Sequence, residues 1–326
     1  MLSVVLSGAI SWVLFSGKGV RNFGFNQKLN PSANNLSSLL SLPLEQMGGL
    51  DIGQLNLLCA EGLPGAEDLD VNNSLVMLDQ MAERVRGETD RHYYRFQKSP
   101  SEFENSEGFF RMIMLAVVLA EDFQVHYAPD KISSPADAGV DDGFYNDSKD
   151  VFLHGLIGPK RQGTCSSLPV LQVAVGRRLG YPLKLVTTKG HLFVRWEDSR
   201  ERFNIEAAGQ GVNRFADDYY RHWPFEVSDQ EVQTEGYLKS LSPAEELAVF
   251  LSIRGMCLQQ AKRYSDAAKS FQRAAQLAPA CQSYRKLEND LERKAAEAAK
   301  PDLHKAFLPV PTKTGSFRFI LTHLGS

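Results

Sequence analysis

Most of the motifs that announce a chemistry are missing from this chain. Its four cysteines, spread over 326 residues, follow no regular spacing, so no disulfide framework is implied. Neither a glycine-rich phosphate loop nor a dinucleotide fingerprint occurs, and no nucleotide cofactor is expected. His92, His126, His154, His222, His304 and His323 form no spaced set with cysteines or carboxylates, so no cofactor of any kind, metal included, is expected. Acidic and basic residues are nearly balanced and dispersed, with a formal charge of -3. That leaves no basic stripe for nucleic acid.

What remains is an ordinary globular composition, 43% hydrophobic and 23% charged, in a chain long enough for two or three packed units. Residues 1–15 are largely apolar but shorter than the roughly 20 residues that a membrane span requires. No Lys or Arg precedes them, as a signal peptide would require. Lys18, Arg21 and Lys28 follow instead, and around an anchor these would hold the body on the cytoplasmic side. Anchor, signal and buried element all stay open. The body is expected in the cytoplasm or on the cytoplasmic face of a membrane, with secretion not excluded.

The chain divides by composition. Residues 1–48 comprise the apolar segment and a connector rich in Asn, Ser, Gly and Pro over 22–48. Residues 49–126 read as helical, with Leu75, Leu78, Met81 and Val85 at helical spacing and an apolar run from Phe109 to Leu119. Gly87 to Ser101 separates the two as a polar break. Residues 127–242 form the expected core, entered through a loop over 127–150 that is expected to cross the cleft. Residues 243–300 carry Gly255, Tyr264, Ala267, Phe271, Ala274 and Pro279 at the spacings of a tetratricopeptide unit, followed by a charged helix. One such unit cannot bury its own apolar face, so it must dock on this core or on another chain. The tail, 301–326, is expected to be extended or poorly ordered.

The feature that points to chemistry is Cys165, in Gly163-Thr164-Cys165-Ser166-Ser167-Leu168-Pro169. Leu168, Leu171, Val175 and Leu179 recur at helical spacing, Arg177 and Arg178 fall in the last turn, and Gly180 ends the helix. Pro169 is tolerated only in a first turn, which puts the helix start within a few residues of Cys165. A thiol at a helix N-terminus is favoured as thiolate, the nucleophilic form. Cys59, Cys257 and Cys281 have no such setting and read as buried hydrophobes.

Two strands follow, one opening with His191 and one leading to Glu206. A symmetrical hairpin turning at Asp198-Ser199 sets Leu192 opposite Ile205 and Val194 opposite Phe203, with one apolar face. The same register predicts His191 directly opposite Glu206, near enough for a carboxylate to orient an imidazole. Asp217 and Asp218 stand in reserve as alternative acids. Gln162, three residues before the thiol, is a candidate oxyanion donor beside the Cys165 N–H; a solvated loop residue is the competing reading.

Gly163-Thr164-Cys165, Val175-Gly176-Arg177-Arg178-Leu179-Gly180-Tyr181-Pro182 and Gly190-His191-Leu192-Phe193-Val194-Arg195 together resemble the core of the bacterial transglutaminase-like superfamily. The resemblance is to the branch with a helical N-terminal region and a tetratricopeptide-like tail. Leu69-Asp70-Val71, Leu78-Asp79 and Met81 to Arg86 resemble its lead-in, and Gly143-Phe144-Tyr145 with Val151-Phe152-Leu153 resembles the segment before its active-site helix. The resemblance implies an α+β, papain-like fold, with an active-site helix on an antiparallel sheet. It further implies Cys165 as nucleophile, His191 as general base and Glu206 as third member, where the superfamily usually has Asp. The implied activity is thiol-dependent acyl transfer on amide bonds of a protein or peptide substrate, with water or an amine as acceptor. Many members of the branch lack the cysteine. The alternative is therefore a non-catalytic scaffold whose residues 243–300 bind a protein partner.

Overall fold

Short polar side chains start four of the longer helices. Asp51, Asp70, Ser106 and Ser242 each accept a hydrogen bond from the backbone N–H three residues on, satisfying a donor that the helix leaves free. The protein is represented by a computed structural model that describes residues 34–131, 143–207 and 212–300. Its N-terminal half runs α1 (Leu36–Leu40), a 3-10 turn (Leu44–Gly49), α2 (Ile52–Ala60), α3 (Val71–Lys98) and α4 (Glu107–Glu121). Then come β1 (His126–Tyr127), α5 (Ser148–Val151), α6 (Leu153–Ile157), β2 (Gln162–Gly163) and α7 (Leu168–Arg178). A sheet of β3 (Leu183–Thr188), β4 (His191–Glu197) and β5 (Arg202–Ile205) follows. Helices α8 (Asp217–His222), α9 (Asp229–Glu235), α10 (Pro243–Gln260), α11 (Tyr264–Leu277) and α12 (Gln282–Ala298) complete it.

The polar break expected over Gly87 to Ser101 does not interrupt the helix, because α3 runs through it to Lys98. Buried Glu88 pairs with Arg84 at 2.9 Å and Arg91 at 3.0 Å along the helix, and Tyr93 and Phe96 pack on Phe103 and Phe110. In the described part of the expected connector, from residue 34, α1 and most of the 3-10 turn are formed and Leu39 and Met47 are buried. Of the loop expected over 127–150, residues 132–142 lie outside the described residues. So do the apolar segment 1–15 and the tail from 301. Among the described residues no helix is long and apolar enough to cross a membrane.

The sheet is antiparallel throughout, in the order β3-β4-β5. One face carries Leu185, Val194, Trp196, Phe203 and Ile205 into the main core, where α7 contributes Val170, Leu171 and Val175. The other face carries Val186 and Phe193, which Tyr220 of α8 covers. Apolar side chains from Leu39 to Leu291 join in a single cluster, so α10 to α12 are packed on the rest of the molecule. α10 lies on α2 and the 3-10 turn, with Phe250 and Leu251 fully buried. Arg177 of α7 donates two hydrogen bonds to Glu246 of α10, at 2.9 and 2.5 Å. Arg254 of α10 caps the end of α2 by donating to the carbonyls of Cys59 and Glu61.

Truncating Phe250 to alanine should therefore cost about 3–5 kcal/mol, as for other buried aromatics, measurable by urea denaturation. Removing residues 243–326 should lower the melting temperature of the remainder and make it aggregate, because α2 and the 3-10 turn lose their cover. A monomeric truncation with unchanged melting would show that the apolar contact contributes nothing.

Candidate active site

The backbone turn that carries Cys165 is a backward extension of α7. The Thr164 carbonyl accepts from the N–H groups of Ser167 and Leu168, so helical hydrogen bonding begins ahead of the first assigned residue, and Pro169 sits in the first turn as its missing donor allows. Thr164 Oγ1 and Ser167 Oγ both donate to the Asp150 carbonyl, at 3.0 and 3.2 Å, and Thr164 N–H donates to Ser167 Oγ. Asp150 itself is buried and paired with Lys131 and Lys160. Gly163 is required by space, since a Cβ there would lie 2.4 Å from Ser167 Oγ and 2.8 Å from Leu156. The turn is thus fixed from both sides while Cys165 stays partly exposed, unlike buried Cys59 and Cys257.

His191 follows a tight β3-β4 turn in which Gly190 takes φ +73°, a left-handed conformation that glycine adopts without steric cost. The hairpin to β5 differs from the symmetrical register expected above. Val194 pairs with Ile205 and Trp196 with Phe203, so the register is displaced by two residues. Asp198 causes this, because its carboxylate accepts from the N–H groups of Arg200 and Glu201 and widens the turn to Asp198–Glu201. A slip of two keeps every side chain on its face. His191 and Glu206 consequently remain on one face but are diagonal neighbours. Even so, His191 Nε2 and Glu206 Oε2 meet at 2.8 Å with both side chains buried. Diagonal Cβ atoms stand several ångströms further apart than facing ones, and the extra methylene of Glu over Asp supplies reach.

Aromatic rings enclose this pair. Trp223 meets the His191 ring edge-on, with centroids 4.7 Å apart. Tyr220 stacks on Phe193 at 3.7 Å and donates its hydroxyl to Glu206 Oε2 at 3.3 Å. Burial by itself lowers the pKa of His191, but hydrogen bonds to Cys165 and Glu206, together with their charges, outweigh it and raise it to about 9. The imidazole therefore stays protonated at neutral pH, with the thiol of Cys165 and the carboxylate of Glu206 as its partners.

The remaining expected residues are placed as follows. Gln162 sits in β2, its amide 3.1 Å from His126 Nε2. Asp217 is held by Arg195, Arg202 and Asn204 at 2.7 to 3.0 Å, and Asp218 faces His222. Tyr127, Tyr220 and Trp223 were not singled out by sequence reasoning. Tyr220 comes from a short helix and Trp223 from the residue just after it, neither of which leaves a periodic signal, and Tyr127 from a strand of two residues. Among the described residues no group of three or more His, Cys, Asp or Glu side chains is arranged to hold a metal ion.

A sequence model of the transglutaminase-like superfamily matches residues 73–251, more than half of the chain. The match runs from the start of α3 into α10 and includes Cys165, His191 and Glu206. Comparison with curated proteins and with solved structures gives no significant match.

The raised pKa of His191 gives a signed expectation. A group whose pKa rises on folding contributes stability that is complete below its unfolded value, near 6.5, and is lost as pH climbs through about 9. Glu206→Gln should remove much of that contribution. The stability gap between wild type and variant, followed by urea denaturation from pH 6 to 10, should be widest near pH 6 and narrow by roughly 1–3 kcal/mol at the alkaline end. A gap that is constant with pH would show that Glu206 does not set the charge of His191.

Proposed function

The chain belongs to the transglutaminase-like superfamily, and on that premise we propose that it is a thiol-dependent acyl-transfer enzyme acting on amide bonds of a protein or peptide. The observation that carries this reading is the buried His191–Glu206 contact at 2.8 Å, with Cys165 as the imidazole's other partner. A cation beside a sulfur favours its thiolate.

In the proposed cycle the Cys165 thiolate attacks the amide carbonyl carbon, the S–C bond forms and the carbonyl electron pair moves to oxygen. The imidazolium of His191 passes its proton to the leaving nitrogen as the C–N bond breaks, which leaves a thioester on Cys165. Water or an amine then attacks the thioester carbonyl carbon, the now neutral His191 takes its proton, and the C–S bond breaks to release the acyl product and return Cys165 as thiolate beside the imidazolium. Water makes the protein a peptidase or amidase and an amine makes it a transglutaminase. Glu206 holds the imidazole and balances its charge, and Tyr220 fixes the carboxylate through its hydroxyl.

We also read the chain as a helical lead-in (49–126), a core (127–242) and a tetratricopeptide-like tail (243–300), as in the branch it resembles. The close approach of Gly255 to Phe271, where a Cβ would lie 2.4 Å from the ring, supports the tail reading. In this arrangement the tail braces the core first. Any protein partner would meet the outward surface of α12, where only Leu291 is buried.

Burial pushes Cys59 and Cys257 up to about 12, and burial with Glu235 alongside does the same to Cys281. Iodoacetamide at about pH 6 should therefore label Cys165 at least roughly tenfold faster than the other three, as read by mass-spectrometric mapping. His191→Ala should remove that advantage. Equal labelling of all four cysteines in the wild type would overturn the enzyme reading in favour of a non-catalytic scaffold.

A further inference from the structure

β1 and β2 pair in parallel, His126 beside Gln162 and Tyr127 beside Gly163. Paired residues share a face of such a ribbon, and chain neighbours alternate between faces. Gln162 and His126 thus stand on one face. There His126 Nδ1 lies 2.8 Å from the Gln124 carbonyl, which only accepts, so Nδ1 carries the proton and Nε2 accepts from the Gln162 amide. Tyr127 stands on the other face, opposite a residue with no side chain. Its backbone is held by His126 N–H to the Arg161 carbonyl and by Ala128 N–H to the Gly163 carbonyl, at 3.0 and 2.8 Å. From there the half-buried Tyr127 hydroxyl interacts with both the thiol and the backbone N–H of Cys165.

We propose that Tyr127 supplies the side-chain hydrogen bond to the oxyanion of the acyl-transfer intermediate, beside the Cys165 backbone N–H. This rests on the acyl-transfer reading and gives Tyr127 the role for which Gln162 was a candidate from spacing alone. The Cys165 N–H donates to the phenol oxygen. A substrate carbonyl oxygen that enters between them takes a hydrogen bond from each, and both strengthen as the carbonyl electron pair moves onto oxygen. Burial, reinforced by the charge of Cys165, pushes the phenol pKa above its ordinary value, so it keeps its proton and remains a donor across the working pH range.

Two thiol probes separate this role from others. Acylation of Cys165 by p-nitrophenyl acetate passes through an oxyanion, forming the S–C bond and releasing p-nitrophenolate with a thioester left behind. Alkylation by iodoacetamide displaces iodide in one step with no oxyanion. Tyr127→Phe should slow acylation by about 10- to 1000-fold, the range for loss of one oxyanion donor, and change alkylation of Cys165 by no more than about twofold. The alkylation rate also reports that the variant is folded. Equal slowing of both reactions would mean that Tyr127 positions the thiol, and acceleration of both would mean that it blocks the site; either overturns the inference. An unchanged ratio overturns it too, as does selective slowing of acylation in Gln162→Ala. A wild-type Cys165 inert to both probes overturns the acyl-transfer reading itself, and this inference with it.

Discussion

The rest of the structure depends on the two arginines that end α7. At that position they complement the negative end of the helix dipole, but their reach is what organises the molecule. Arg178, nearly inaccessible, pairs with Asp51 at 2.9 Å and Asp79 at 2.7 Å, and Asp51 is also the cap of α2. Arg177 donates to the Leu183 carbonyl at the start of β3 and to Glu246 of α10. One helix end thereby joins α2, α3, the sheet and α10. Buried ion pairs add little net stability over a well-packed apolar replacement, yet breaking one strands a charge at a cost of about 3–5 kcal/mol. Such pairs are therefore best understood as fixing one arrangement. What they fix is the axis of the helix whose other end presents Cys165.

That axis explains how much of the site was legible in the sequence. Helical spacing from Leu168, the Pro169 position and the stop at Gly180 describe α7 nearly as observed. Alternation in β4 and β5 placed His191 and Glu206 on a common face, and they are. Their pairing was wrong by two residues because the local chemistry of Asp198, which binds the N–H groups of Arg200 and Glu201, decides turn length and does not show in hydrophobic alternation. An error of an even number of residues is invisible to a facing argument, since the strand period is two. The facing test is thus a strong guide to which residues share a surface and a weak one to which residues touch.

Elsewhere the sequence reading failed where tertiary packing overrode local composition. Gly87 to Ser101 is polar and reads as a break, yet Glu88 ion pairs and an aromatic stripe keep α3 continuous. α10 has no clean amphipathic stripe because it is surrounded: α11 lies on one side and α2 with the 3-10 turn on another. A helix buried on several faces loses the periodic contrast that reveals a surface helix. The aromatic side chains around His191 are of the same kind. They converge from β4, α8 and the segment after it, and no spacing in the chain connects them.

That enclosure gives the length of the Glu206 side chain a physical consequence. In the observed register the acid at position 206 has to cross a diagonal to meet His191, and the length of Glu206 spans it at 2.8 Å. The longer chain is also more mobile, with about one further rotatable bond to immobilise. Tyr220 offsets this by donating to the same Oε2 atom that His191 contacts, and it is itself held by stacking on Phe193 and by the Thr188 hydroxyl, which donates to its carbonyl at 2.7 Å. With Trp223 against the imidazole, water is kept from the pair and their attraction is screened less than at a surface. The aromatic wall therefore opposes the charge on His191 by removing water from it, and the imidazolium persists because Glu206, fixed by Tyr220, and Cys165 outweigh that burial through their hydrogen bonds and charges.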